Sequence, residues 1–164
     1  MPKLTIVVGL PGSGKTTFLQ SRRETANAFR RRLGRVDDEL IEALRSGRDC
    51  VADDTRFCHP GFRRDHEAWI REQVPEVEIE WFFIDKDVDA CMHNLVYDAA
   101  HSDASIAGLR SRARSFFDCL AVYELPLRDE YPPERILPVV RAELAHPASA
   151  STPINPSEKR RPRS

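Results

Sequence analysis

Lys3-Leu4-Thr5-Ile6-Val7-Val8-Gly9-Leu10-Pro11-Gly12-Ser13-Gly14-Lys15-Thr16-Thr17 carries the strongest local signal in the chain. Its first six residues are β-branched and almost wholly apolar, the composition of a strand buried on both faces of a parallel sheet. The next eight, Gly9 to Thr16, match G-x-x-x-x-G-K-[ST] in full, the Walker A or P-loop pattern. Each residue type has a chemical reason. Glycines let the backbone turn and approach phosphate oxygens without a Cβ in the way. Consecutive N–H groups then line one concavity that binds anions, and the helix that follows adds its positive end. Lys15 is placed to reach the β- and γ-phosphates, and the Thr16 hydroxyl to ligate Mg²⁺. Gly9, Pro11, Gly12, Ser13, Gly14, Lys15, Thr16 and Thr17 are therefore the expected nucleotide-binding residues, with Lys15 also catalytic.

Working outward, strands and helices alternate. A helix is expected from Thr16 to about Arg31, with Phe18 and Leu19 facing in, and a weak strand around Ala28–Val36. Asp37 and Asp38 begin a helix over Glu39–Arg45, which Gly47 ends. Asp49–Asp54 reads as a short strand and Pro60–Gln73 as a helix with proline near its start. Val77–Ile84 is a strand, Asp87–Tyr97 and Ala104–Tyr123 are helices, and Ile136–Val140 is the last strand. This alternation predicts an α/β, three-layer P-loop NTPase fold: a parallel sheet of about five strands with helices on both faces. Ligands of such sheets sit at the carboxyl ends of the strands.

The 164 residues suit one domain, predicted over residues 1–146. Residues 147–164 are rich in Pro, Ser, Ala and basic side chains and are expected to be a disordered basic tail. With 25 basic and 26 acidic residues the net charge is −1, so only local clusters can argue for a nucleic-acid partner. Such clusters occur at Arg30-Arg31-Arg32-Arg35, at Arg63-Arg64 and in the tail. They suit an acceptor phosphate or nucleic acid, and equally a solvated face. Cys50, Cys58, Cys91 and Cys119 form no C-x-x-C pair, which argues for reduced, buried thiols rather than zinc or disulfides. Trp69 and Trp81 lie in apolar patterns and are expected in the core. No stretch approaches the ~20 apolar residues of a membrane span. No signal peptide is visible, and the expected location is the cytoplasm.

Acids fall where the strands should end. Asp37 or Asp38 suits a general base for an acceptor hydroxyl, and also a helix cap. Asp53 and Asp54 suit the Mg²⁺ shell, the acceptor, or again a cap. Phosphoryl transfer also needs positive charge around the moving group, usually arginine from a lid. The natural lid position, Asn94–Asp103, holds no arginine or lysine. Arg110 and Arg114, which share a helical face, are candidates for the missing charge, while Arg112 points elsewhere.

These pieces together resemble the P-loop kinases related to the 5′-kinase domain of phage polynucleotide kinase, from about Lys3 to Val140. Val8–Thr17 carries the Pro-Gly-Ser-Gly-Lys form. Arg35-Val36-Asp37-Asp38 is similar to the family's Arg-Asp-Asp. Val51-Ala52-Asp53-Asp54-Thr55-Arg56, with Arg63-Arg64, is similar to its Asp-Thr-Asn and downstream arginines, and Trp81–Asp85 to its fourth strand. The resemblance implies Asp37 as general base, with Asp38 the alternative, and Asp54, Arg56 and Arg64 at the acceptor. Where relatives carry Arg-Asn-x-x-x-Arg, this chain has His93-Asn94-Leu95-Val96-Tyr97-Asp98. His93 replaces an arginine only when protonated. The arginine expected soon after the base acids is replaced by Leu40 or a neighbour. The implied function is a Mg²⁺-assisted ATP phosphotransferase acting on a polynucleotide 5′-hydroxyl or a small hydroxylated molecule. The alternative is a nucleotide-binding module or slow ATPase that lacks the lid arginines.

Overall fold

The computed structural model describes residues 1–22, 29–31, 38–103, 105–126 and 133–142. Five parallel strands form one sheet in the order β2-β3-β1-β4-β5. They are β1 Lys3–Val8, β2 Phe29–Arg31, β3 Cys50–Asp53, β4 Glu78–Ile84 and β5 Ile136–Leu137. β1 is central, and Leu4 to Val8 are buried along it. It pairs β3 with Val7 opposite Asp53, and β4 with Val8 opposite Phe83.

The period-two alternation of β1 divides the core into two layers. Leu4, Ile6 and Val8 pack into a large cluster with Leu40 and Leu44, Ile70, Cys91, Phe116 and Tyr123. The helices supplying this cluster are α2 Asp38–Arg45, α3 Pro60–Gln73, α4 Val88–Ala100 and α5 Ile106–Val122, which Tyr123 caps. Val7 belongs to the opposite layer with Val51, Phe82, Ile84 and Leu19, the last from α1 Lys15–Ser21. Helices thus cover both faces, as the alternation predicts. Trp81 is buried in the larger cluster and Trp69 packs against it, so both tryptophans serve the core. All four cysteines are buried free thiols.

Within the smaller layer Glu80 is a buried acid. It pairs with Lys3 Nζ at 3.0 Å and with Arg135, and it accepts from Thr5 Oγ1 at 3.4 Å. Burial opposes its ionisation, but the hydrogen bonds from Lys3 and Arg135 prevail and hold its carboxyl below the ordinary range.

Several element boundaries differ from the expectation. α1 ends at Ser21, not near Arg31, and Arg22 is already extended with its guanidinium over the Phe82 ring at 4.4 Å. The polar run after Ser21 offers no apolar stripe to hold a helix on the core, and Phe29–Arg31 pairs with β3 instead. Asp54 lies one residue beyond β3 and caps a 3-10 turn over Thr55–Cys58, accepting from the Arg56 N–H. β5 stops at Leu137, because Pro138 has no N–H to continue the ladder. α4 runs on to Ala100 and absorbs most of the expected lid. Asp87 caps its start, and Tyr97 stacks on His101 at its end. Among the described residues no helix is long and apolar enough to cross a membrane. The expected tail and Asp37 lie outside the described residues.

Candidate functional site

The chain leaves β1 at Val8 and turns at once, with Ser13 N–H donating to Leu10 O at 3.1 Å. Gly12 and Gly14 have φ of +80° and +90°, the left-handed region that favours glycine. Gly12 also packs directly on α4: a Cβ there would come within 2.4 Å of Cys91 O. Gly14 precedes α1, and no side chain caps that helix start, so the first amides are left to the loop's concave side.

Lys15 Nζ folds back under this loop, donating to Gly9 O at 2.7 Å and Leu10 O at 2.9 Å. Burial lowers its pKa from the ordinary lysine value, while the Asp53 carboxylate works the other way. Thr16 Oγ1 donates to Asp53 Oδ2 at 3.4 Å, so the first helical residue after Lys15 meets the last residue of β3. Among the described residues no three His, Cys, Asp or Glu side chains converge on a metal site. The Thr16–Asp53 pair nevertheless fits Mg²⁺. It offers two hard oxygen ligands beside a phosphate loop, and Mg²⁺ takes few protein ligands and completes its shell with water and phosphate oxygens.

The loop floors a cleft of about 1020 Å³. Asp53, Asp54 and Thr55 form one wall, Asn94, Leu95 and Asp98 of α4 another, and Arg112 and Ser115 of α5 a third. Leu137, Pro138, Val140, Arg141 and Ala142 close the far end. Phe18 and Ser21 of α1, with Leu137, Pro138 and Val140, give that end an apolar character suited to a flat ring. Asn94 holds the two sides together. Its Nδ2 donates to Gly12 O at 2.8 Å and to Val140 O at 2.9 Å, and its Oδ1 accepts from Ala142 N–H at 2.6 Å.

The fold gathers some expected site residues and disperses others. Pro11, Gly12, Ser13, Gly14, Lys15, Thr16, Thr17, Asp53 and Asp54 all line the cleft. Asp54 is occupied there, since Arg56 Nε and Nη2 reach its two oxygens at 3.1 and 3.2 Å while the Arg56 N–H bonds it as a cap. Arg56 and Arg114 line a second, smaller cavity of about 370 Å³ that shares Thr55 and Ser115 with the first. Arg110 and Arg64 are exposed and line neither cavity. Arg63, beside Arg64, is a packing residue: it donates to Phe57 O at 2.8 Å and lies over the Phe83 ring. Asp38 is exposed in the first turn of α2 and lines neither cavity. His93 bonds Ala142 O through Nε2 at 3.0 Å and lines neither cavity.

Three cleft residues escaped the sequence reading. Asn94 had one available signal, a polar residue on the inward face of α4 beside Cys91 and Leu95. Arg112 was set aside because it does not share a face with Arg110 and Arg114, yet it is the arginine of that run that lines the phosphate cleft. Arg141 had no local signal at all.

Among solved structures, a fungal RNA kinase aligns with TM-score 0.57 and 13% identity over 91% of this chain and 77% of that one. The fold is the α/β P-loop NTPase fold, with a parallel sheet between helices. At this identity the likeness carries the fold and nothing finer. A gluconokinase from Sinorhizobium meliloti 1021 aligns with TM-score 0.43 and 14% identity over 86% of this chain and 85% of that one, too low a score to bear on the argument. No protein-family model and no curated protein matches the chain.

Proposed function

We propose that this chain is a Mg²⁺-assisted phosphotransferase that moves the γ-phosphoryl group of ATP to a hydroxyl acceptor. The observation that carries the reading is the convergence of Lys15, Thr16, Asp53 and Arg112 on one cleft floored by the phosphate loop. The loop amides bind phosphate oxygens. Lys15, which donates to the Gly9 and Leu10 carbonyls, turns its ammonium toward the β- and γ-phosphates. Thr16 and Asp53 hold Mg²⁺, whose chemistry here is to neutralise charge on the phosphate oxygens. The apolar end of the cleft receives the base. Arg112 supplies the positive charge that the expected lid lacks.

Asp37 takes the acceptor proton in this reading, on the strength of its motif. Asp54 orients the acceptor instead, because its carboxylate is already engaged by Arg56. A polynucleotide 5′-hydroxyl is the first acceptor to test. The motif resemblance and the fold shared with an RNA kinase support that choice. The test incubates purified chain with Mg²⁺ and labelled ATP against 5′-hydroxyl RNA and DNA oligonucleotides and a panel of polyols. Labelled acceptor that disappears in Lys15→Ala supports the proposal. ATP binding without transfer to any acceptor would leave the nucleotide-binding module as the reading and sink the kinase.

A further inference from the structure

Two thiols under the phosphate loop have no part in the proposed reaction. Cys58 ends the 3-10 turn after β3, is wholly buried, and donates from Sγ to Gly9 O at 3.5 Å. Cys119 comes from α5, is nearly buried, and donates from Sγ to Thr55 O at 3.6 Å. Cys119 Sγ thus meets the first residue of the turn that Cys58 ends, and both thiols lie in one buried cluster. Their mutual influence is the main reason that Cys119 falls below the ordinary thiol range while Cys58 is pushed up. The nearby Lys15 ammonium favours the Cys119 thiolate further. Cys50 and Cys91 behave oppositely, since burial raises each to about 11. Access separates the four as well. Cys119 lines the smaller cavity between the turn and α5, together with Thr55, Ser115 and Arg114, whereas no other cysteine lines either cavity. A thiol with thiolate character, a route in, and a second thiol in the same buried cluster are the requirements for a redox-active pair.

We propose that Cys58 and Cys119 form a reversible disulfide that weakens nucleotide binding by the loop above them. Hydrogen peroxide is the oxidant. The Cys119 thiolate attacks one peroxide oxygen, the O–O bond breaks, and the departing hydroxide takes a proton to become water. The Cys58 sulfur then attacks the Cys119 sulfenic sulfur. The S–O bond breaks, and the hydroxyl leaves with the Cys58 proton as a second water. Each sulfur gives up one electron and the peroxide gains two. A dithiol reverses the bond by exchange. Its consequence follows from Gly9. Disulfide formation removes the Cys58 S–H that bonds Gly9 O, the same carbonyl that receives Lys15, and it ties the turn to α5.

The effect on nucleotide rests on the function proposed above, whereas the bond itself does not. The experiment treats reduced full-length chain with hydrogen peroxide, blocks remaining thiols, and maps peptides without reductant. The expected product links the Cys58 and Cys119 peptides, disappears with dithiothreitol, and leaves Cys50 and Cys91 alkylatable after denaturation. In parallel, affinity for a non-hydrolysable ATP analogue is expected to fall about tenfold on oxidation and to recover on reduction. Cys119→Ser should abolish the link and make affinity indifferent to peroxide. A different pairing, or over-oxidised Cys119 without the link, overturns the proposal. A correct link with unchanged affinity overturns the switch. Reduced chain that binds no nucleotide overturns the kinase reading, while the linked peptide would still establish the disulfide.

Discussion

Asn94 on α4 holds the phosphate loop through Gly12, whose carbonyl it meets at 2.8 Å, and with the same side chain it grips Val140 and Ala142 beyond β5. The residue is 6% exposed, so water cannot easily replace these bonds. Truncation removes the partner of two part-buried carbonyls and one part-buried N–H. Asn94→Ala is expected to cost about 2 kcal/mol of stability and to weaken nucleotide binding about tenfold. Thermal unfolding with and without ATP analogue measures both. A variant with unchanged affinity would reduce Asn94 to a packing residue.

Lys15 gives a different signature. Its ammonium is buried against the Gly9 and Leu10 carbonyls, and burial already works against its charge. Lys15→Ala should therefore leave the free chain nearly as stable as the parent. What it should lose is the rise in melting temperature on adding Mg²⁺ and ATP, since only a bound ligand stabilises the folded state by mass action. An undiminished rise would exclude Lys15 from phosphate binding.

The arginines of α5 separate by position. Arg112 lines the cleft and Arg110 does not. Arg112→Ala should lower kcat about a hundredfold or more, with a smaller change in ATP KM, because charge on a moving phosphoryl group is met most strongly in the transition state. Arg110→Ala should be neutral in the same assay. Equal effects from the two would show that neither arginine acts in transfer.

Glu80 makes stability depend on acid. The folded chain depresses its pKa, so its stabilisation is fully present above the unfolded value of about 4.3 and is lost as pH falls through the folded one. Glu80→Gln leaves Lys3 and Arg135 without their carboxylate and should cost about 2 kcal/mol at neutral pH. As pH falls from about 4.3 through the folded pKa, the variant and the parent should converge. Denaturant unfolding across that range measures the difference. A constant gap at all pH values would mean that Glu80 acts through packing.

How far the chain's own letters reach can be judged residue by residue. Lys3–Val8 is legible as a buried strand because every position after Lys3 is apolar or β-branched, and Gly9–Thr16 is legible because its spacing serves one anion. α3 over Pro60–Gln73 is legible from its proline, and α2 from its acids and Gly47. The end of α1 was not legible, since Arg22–Ala28 suits a helix or a loop until β3 offers a partner to Phe29–Arg31. The helix expected to end at Tyr97 runs on to Ala100 for a similar reason. Nothing local stops α4 before Ala100, and its inner face is fixed by contact with Gly12.

The local pattern was thus sufficient for the alternating strands and the phosphate loop, because backbone propensity and glycine spacing act over a few residues. Tertiary structure alone selected Arg112 over Arg110, brought Arg141 to the cleft and set Cys119 against the turn that Cys58 ends. Those outcomes depend on how α4 and α5 rest on the sheet and where β5 ends. They join residues tens of positions apart, a relation that no short-range pattern encodes.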